Sequence, residues 1–252
     1  MPLETEERQM NYGLQMYSVR DVTEKDLYGA LKQVAELGYE NVEFAGFFGH
    51  SGEEVAGWLK ELGLRTSGTH TGINLLDEEN MAETIACHKA LGCTKLIVPG
   101  VGPKTQAEVD EVLAKMRKYQ EILKAEGITL GYHNHSHEFV PIEGGPTIMD
   151  RMFNETDLML ELDTYWVYNA KEDPIAWMEK VHAAGRLGVI HIKDGYDNGE
   201  GMPLGKGTAP VQAVYQKAVE LGVPMVVESE TLTPSGMDEA KVCIEFLKAQ
   251  EA

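Results

Sequence analysis

Three cysteines in 252 residues, Cys87, Cys93 and Cys243, are too few for a disulfide framework and suit a reducing, cytoplasmic setting. No stretch of about 18 apolar residues occurs, so no transmembrane helix is expected. The opening MPLETEERQM is acidic and has no apolar core, so a signal peptide is not expected either. Basic residues are scarce: 22 Lys and Arg face 41 Asp and Glu, for a net charge of −19. Nucleic acids and anionic membranes are both held mainly by Lys and Arg, so neither partner is expected. No Gly-x-Gly-x-x-Gly follows the first strand pattern and no Gly-Lys-Ser/Thr loop appears. The nucleotide-binding versions of a doubly wound sheet therefore have no support. Linkers, low-complexity tracts and short repeats are also missing.

What is present is an alternation. Short apolar or β-branched runs end in Gly, His, Asp or Glu, and helical patterns rich in Glu, Lys, Ala and Leu follow. Strands are read at 12–18, 40–45, 64–70, 94–99, 128–134, 157–164, 188–193 and 224–229, and helices at 24–36, 51–62, 78–91, 105–125, 146–154, 173–184, 209–221 and 237–249. Three helices close on Gly, at Leu37-Gly38, Leu62-Gly63 and Leu91-Gly92, where a chain leaving a helix turns left-handed. Eight strand–helix units in about 250 residues have the size and order of a (β/α)8 TIM barrel. The expectation is one domain over 1–252, with residues 1–10 as a short leader outside the barrel.

Strand side chains alternate between two faces, and the helix-facing set should be apolar. Leu158, Leu160 and Leu162 share one face, which leaves Met159, Glu161 and Asp163 inward. By the same rule Ile190 and Ile192 leave Val189, His191 and Lys193; Met225 and Val227 leave Val226, Glu228 and Glu230. Ile128, Leu130 and Tyr132 leave Gly131, His133 and His135. Gln15, Tyr17, Glu43 and His70 are placed inward on the first three strands. Most of these polar residues lie at C-terminal strand ends, where barrel active sites are built. Burying so many ionisable groups is costly, and a shared cation offsets that cost. Asp163, His191 and Glu228, with a group from the fifth strand, form a mixed nitrogen and oxygen set. Such a set suits one divalent ion, Mn²⁺, Co²⁺, Fe²⁺, Zn²⁺ or Mg²⁺, without choosing among them.

At these residues the chain resembles the sugar phosphate isomerase/epimerase superfamily, the xylose-isomerase-like barrels. The supporting phrases are Gly13-Leu14-Gln15-Met16-Tyr17-Ser18-Val19-Arg20, Asn41-Val42-Glu43-Phe44, Gly131-Tyr132-His133-Asn134-His135, Leu162-Asp163-Thr164-Tyr165-Trp166, His191-Ile192-Lys193-Asp194 and Val227-Glu228-Ser229. The superfamily includes ketose 3-epimerases, aldose–ketose isomerases, inosose dehydratases, keto-sugar lyases and some endonucleases acting on abasic DNA. Its epimerases hold one divalent metal with Glu, Asp, His and Glu from strands five to eight. The last three fall on Asp163, His191 and Glu228. Where the epimerases have Glu, this chain has His133, with His135 and Glu138 as the other fifth-strand candidates. The Gly-Tyr-His-Asn-His form is nearer the inosose-dehydratase and keto-sugar-lyase branches.

The resemblance implies a metal-dependent enzyme acting on a keto sugar or polyol, by enolisation or by β-elimination. Glu228 is the first candidate base, with His135 or Glu138 for a second proton. Lys193 would steady enediolate charge or pair with Glu161 or Glu230. Gln15, Glu43, His70 and Trp166 are candidate substrate contacts, Phe47-Phe48 a further aromatic surface, and Asn134 an outward loop support. The loop 203–208, with Gly205 and Gly207, has the make-up of an anion cradle; a free or glycosidic keto sugar is nevertheless expected over a phosphate ester. The rival readings are a DNA repair endonuclease, which the charge opposes, and a catalytically silent sugar- or metal-binding barrel. The expected partner is a small sugar, with self-association left open.

Overall fold

Period-two alternation of apolar residues makes each strand two-sided, and the helices between strands must cover the apolar side. A computed structural model describes residues 11–251 of the chain. The expected leader, 1–10, lies outside the described residues, and so does position 252. Eight parallel strands, β1 (Gly13–Gln15), β2 (Asn41–Phe44), β3 (Arg65–His70), β4 (Lys95–Val98), β5 (Thr129–His133), β6 (Met159–Asp163), β7 (Leu187–Ile192) and β8 (Met225–Val227), pair in sequence order, and β8 closes on β1. The fold is thus the expected (β/α)8 barrel.

The helices are α1 (Arg20–Thr23), α2 (Leu27–Leu37), α3 (Gly52–Leu62), α4 (Met81–Leu91), α5 (Gln106–Ala125), α6 (Ile148–Glu155), α7 (Thr164–Asn169), α8 (Pro174–Ala183), α9 (Val211–Leu221) and α10 (Gly236–Ala249). All eight expected helices form. Local chemistry sets their ends. Ser51, Thr105, Thr147 and Ser235 each accept a backbone N–H of the first turn through the side chain. Each such cap is worth about 1 kcal/mol. Gly38, Gly63 and Gly92 take the left-handed conformation at helix ends, as their positions in the sequence imply.

The apolar core lies between barrel and helices. Leu158, Leu160, Leu162, Ile190, Ile192, Met225, Val227, Leu130 and Tyr132 are all buried in it. Inside the barrel, the lower end is closed by Met159. A Cβ at Gly131 would come 2.6 Å from its Cε, and one at Gly188 would overlap its sulfur. These glycines make room for one long side chain that seals the floor, as layered packing of a barrel interior requires.

Besides the short helix α1, three local features depart from the sequence reading. The first strand ends at Gln15, because its side chain accepts from Tyr17 N–H (3.1 Å) and starts a 3₁₀ turn over Met16–Val19. Tyr17 is therefore 43% exposed rather than inward. An additional helix, α7, begins directly at the end of β6. Its N-cap is Asp163, which accepts from Trp166 N–H at 2.9 Å. A two-stranded antiparallel ribbon, Asp194–Gly195 against Gly201–Met202, follows β7.

Candidate metal and substrate site

The C-terminal ends of β5 to β8 bring His133, Asp163, His191 and Glu228 together. One ligand atom from each can be chosen so that all lie within 4.8 Å of one another. His133 Nε2 is 3.6 Å from Asp163 Oδ2; His191 Nδ1 is 3.9 Å from the same oxygen and 3.3 Å from Glu228 Oε2. All four side chains are buried. Both nitrogens of His133 and Oδ2 of Asp163 have no hydrogen-bond partner. A buried polar atom left unpaired costs about 1–3 kcal/mol, so the unpaired His133 Nε2 and Asp163 Oδ2, 3.6 Å apart and beside a second acid and a second imidazole, fit a cation-binding group. The donor set, two nitrogens and two carboxylates, suits the divalent ions named above.

Beneath this group lies a second layer. Gln15 donates to Glu43 Oε1 (2.6 Å), which also faces His191 Nε2 (2.9 Å) and His70 Nε2 (3.1 Å). His70 Nε2 is 2.6 Å from Glu161 Oε2, and His191 Nε2 is 3.3 Å from it. Gln15, Glu43 and His70, read from the sequence as substrate contacts, are thus bonded to one another below the mouth. The sequence had placed Glu161 inward and named it only as an ion-pair partner of Lys193; it instead pairs with two imidazoles. Burial alone would raise the Glu43 carboxyl, but the imidazoles of His70 and His191 outweigh it and hold the group well below the usual range. Burial would lower His191; Glu161 and Glu43 more than reverse this.

At the mouth, Lys193 lies 3.3 Å from Glu228 and 2.8 Å from Glu230, so of its two expected partners it takes Glu230. Its ammonium sits 4.6 Å from the Trp166 ring centre. Glu228 would be raised by burial, yet Lys193 and His191 keep it well below the ordinary carboxylate value. His135, whose ring centre is 4.9 Å from that of His133 and 5.7 Å from that of Trp166, is pushed down to about 4 by burial and by His133. Phe47 packs on Phe44 (5.2 Å), and Phe48 is 46% exposed.

Two other side chains brace the backbone around the group. Glu138 accepts from Tyr132 O–H and from His135 N–H, both at 2.8 Å, and lies beside His137; it braces the turn Ser136–Phe139 and does not join the group around Asp163. Asn134, expected as an outward support for a neighbouring loop, is fully buried and bonded to the backbone of Asp163. The loop 203–208 does cradle an anion, and the anion is internal. The Asp194 carboxylate accepts from Gly205 N–H (2.9 Å), Gly207 N–H (2.9 Å) and Ala209 N–H (3.2 Å). A cavity of about 1150 Å³ opens at the opposite end of the barrel, among the strand starts Gly13, Arg65, Lys95 and Met225, and contains none of the clustered groups.

A parallel eight-stranded barrel with converging His, Asp and Glu at its C-terminal mouth defines a class of (β/α)8 protein. Within that class, the xylose isomerase-like TIM barrel family model matches residues 31–250, and the chain belongs to this family. Two structures of a sugar phosphate isomerase/epimerase from Parabacteroides distasonis ATCC 8503 are similar to it. Both are 25% identical, with TM-scores of 0.79 and 0.81, covering 94% and 93% of this chain and 93% and 96% of the other. The probable 3-DHS dehydratase AsbF of Bacillus anthracis shares the fold at 13% identity, with a TM-score of 0.75, over 95% of this chain and 99% of its own. No curated protein sequence matches the chain. Among the described residues no helix is long and apolar enough to cross a membrane.

Proposed function

We propose that the chain is a divalent-metal-dependent enzyme that removes a proton beside the carbonyl of a keto sugar or polyol, leading to isomerisation or epimerisation. The observation that carries this reading is the buried group His133, Asp163, His191 and Glu228 at the C-terminal strand ends, with unpaired atoms on His133 and Asp163. A divalent ion held there supplies Lewis-acid polarisation of a carbonyl and its neighbouring hydroxyl. The chain's own residues divide the remaining work. Glu228, ionised at neutral pH, accepts the proton from carbon. Lys193, held at 3.3 Å from Glu228, donates to the oxygen on which charge develops. His135, neutral at pH 7, handles the second proton, and the Trp166 ring beside Lys193 covers an apolar sugar face.

A second reading, β-elimination by a keto-sugar lyase or dehydratase, is favoured by one feature. Glu138 is bonded to Tyr132 and to the backbone of His135, and the fifth-strand member of the group is His133, so the fifth-strand partner of Glu228 is an imidazole rather than the carboxylate that a two-carboxylate epimerisation uses. A neutral His135 can take the proton from carbon and return it to the departing oxygen. The substrate is a free or glycosidic keto sugar, since Asp194 already fills the nearby anion cradle.

The experiment is incubation of Mn²⁺-loaded protein in D₂O with free keto sugars, 3-keto-glycosides and their phosphate esters, read by mass and NMR. Deuterium at the carbon beside the carbonyl without mass loss indicates isomerisation or epimerisation; loss of water or of an aglycone indicates elimination. Sugar binding with neither exchange nor turnover would identify a silent binding barrel and end the enzymatic reading.

A further inference from the structure

The last backbone pair between β5 and β6 is His133 with Glu161, so this ladder stops two residues short of Asp163, although β6 still pairs with β7 there. The side chain of Asn134 continues it. Asn134 accepts Asp163 N–H through Oδ1 (3.1 Å) and donates through Nδ2 to Asp163 C=O (3.2 Å), so one amide clamps both backbone groups of a single residue. Asp163 is then held at a third point, because its Oδ1 accepts Trp166 N–H at 2.9 Å. Only Oδ2 remains, and it is unpaired, buried and facing His133 and His191. The pattern repeats one strand on. Thr164, the residue after Asp163, donates through its hydroxyl to His191 C=O at 2.9 Å. Both Asn134 and Thr164 are buried.

We propose that Asn134 and Thr164 are positioning residues for the metal-binding group: each directly follows a member of that group in sequence and fixes the backbone of the member on the next strand. The proposal rests on the metal-dependent reading above. The physical reason is that ligand atoms must be held closely in place; Asp163 is paired with His191 on the β7 side, and on the β5 side, where the ladder has ended, Asn134 supplies the missing restraint. An amide that grips N–H and C=O together removes both translation and twist of Asp163. The Thr164 hydroxyl ties the start of α7 to β7 and so keeps Asp163 and His191 in register.

The test is Mn²⁺ affinity, measured by titration of the metal-free chain and read by electron paramagnetic resonance of free Mn²⁺. Loss of such supporting contacts typically weakens metal binding about 10–100-fold, the range expected for Asn134→Ala. Thr164→Val keeps size and branching but removes the hydroxyl, and about a tenfold loss is expected; Thr164→Ser keeps the hydroxyl and should restore affinity to within about twofold. The Val and Ser pair decides the matter even where Asn134→Ala folds poorly, because a generally loosened barrel would not distinguish the two. Wild-type affinity in both Asn134→Ala and Thr164→Val overturns the positioning roles and leaves the metal reading standing. Absence of Mn²⁺ uptake by the unaltered chain overturns both.

Discussion

Glu43 and His191, 148 positions apart in sequence and both fully buried, meet at 2.9 Å between Oε1 and Nε2. A carboxylate only accepts, so Nε2 carries the proton, and the other nitrogen, Nδ1, is the one that faces Asp163 and Glu228. Glu43 thereby orients an imidazole from below, and Gln15 in turn orients Glu43. Replacement Glu43→Gln keeps an acceptor but removes the charge. Mn²⁺ affinity should fall at least about tenfold while the fold survives, as a binding titration beside a circular dichroism spectrum would show.

The four proposed ligands separate from Glu138 by metal content. Asp163→Asn keeps shape and removes the charge, so it should lose bound metal after dialysis against a weak chelator, lose turnover and still fold. His133→Ala should behave alike. Glu138→Gln should retain metal, since Glu138 braces the Ser136–Phe139 turn instead, and should lose about 1 kcal/mol of stability in urea. Full occupancy and wild-type activity in Asp163→Asn would remove the proposed site.

Metal affinity should depend on pH with a definite sign. Burial, reinforced by Glu228 and opposed by Lys193 and His191, pushes the Asp163 carboxyl up to about 6. Only the ionised form ligates, so protons compete below that value, and affinity should fall up to about tenfold per pH unit from pH 6 downward. In the metal-free chain the raised value means that stability from Asp163 falls as the pH rises from about 4 to about 6, and the loss is complete above that. Added Mn²⁺ should therefore raise the unfolding temperature more at pH 7.5 than at pH 5. An equal rise at both values would contradict the role of Asp163.

The occupied anion cradle predicts no preference for phosphate esters. Turnover of a keto sugar should equal or exceed that of its phosphate, and a strong preference for the ester would return the loop 203–208 to the substrate. Asp194→Ala should instead destabilise. It strands the N–H groups of Gly205 and Gly207, whose bonds to a charged acceptor are worth about 1.5–3 kcal/mol each. Urea unfolding would measure the loss.

The strand–helix order, the helix ends and the sidedness of each strand were legible in the sequence, because they depend on neighbours within a turn or a pleat. Leu158, Leu160 and Leu162 declare one face of β6 and hence put Asp163 on the other; Gly38, Gly63 and Gly92 mark helix ends by their own backbone freedom. That His133, Asp163, His191 and Glu228 share one end of a barrel was likewise readable once eight strands were counted. Which inward groups touch was decided by closure of the barrel. Its register sets Glu43 under His191 and pairs Glu161 with His70, and no local spacing encodes such contacts. Loop geometry decided the rest. The turn after β5 commits Glu138 to Tyr132 and the backbone of His135, Asn134 bonds the backbone of Asp163 beyond the last β5–β6 pair, and Asp194 takes the place of an external anion. In each case a buried donor or acceptor had to be paired, and only the folded chain determines which partner lies within about 3 Å.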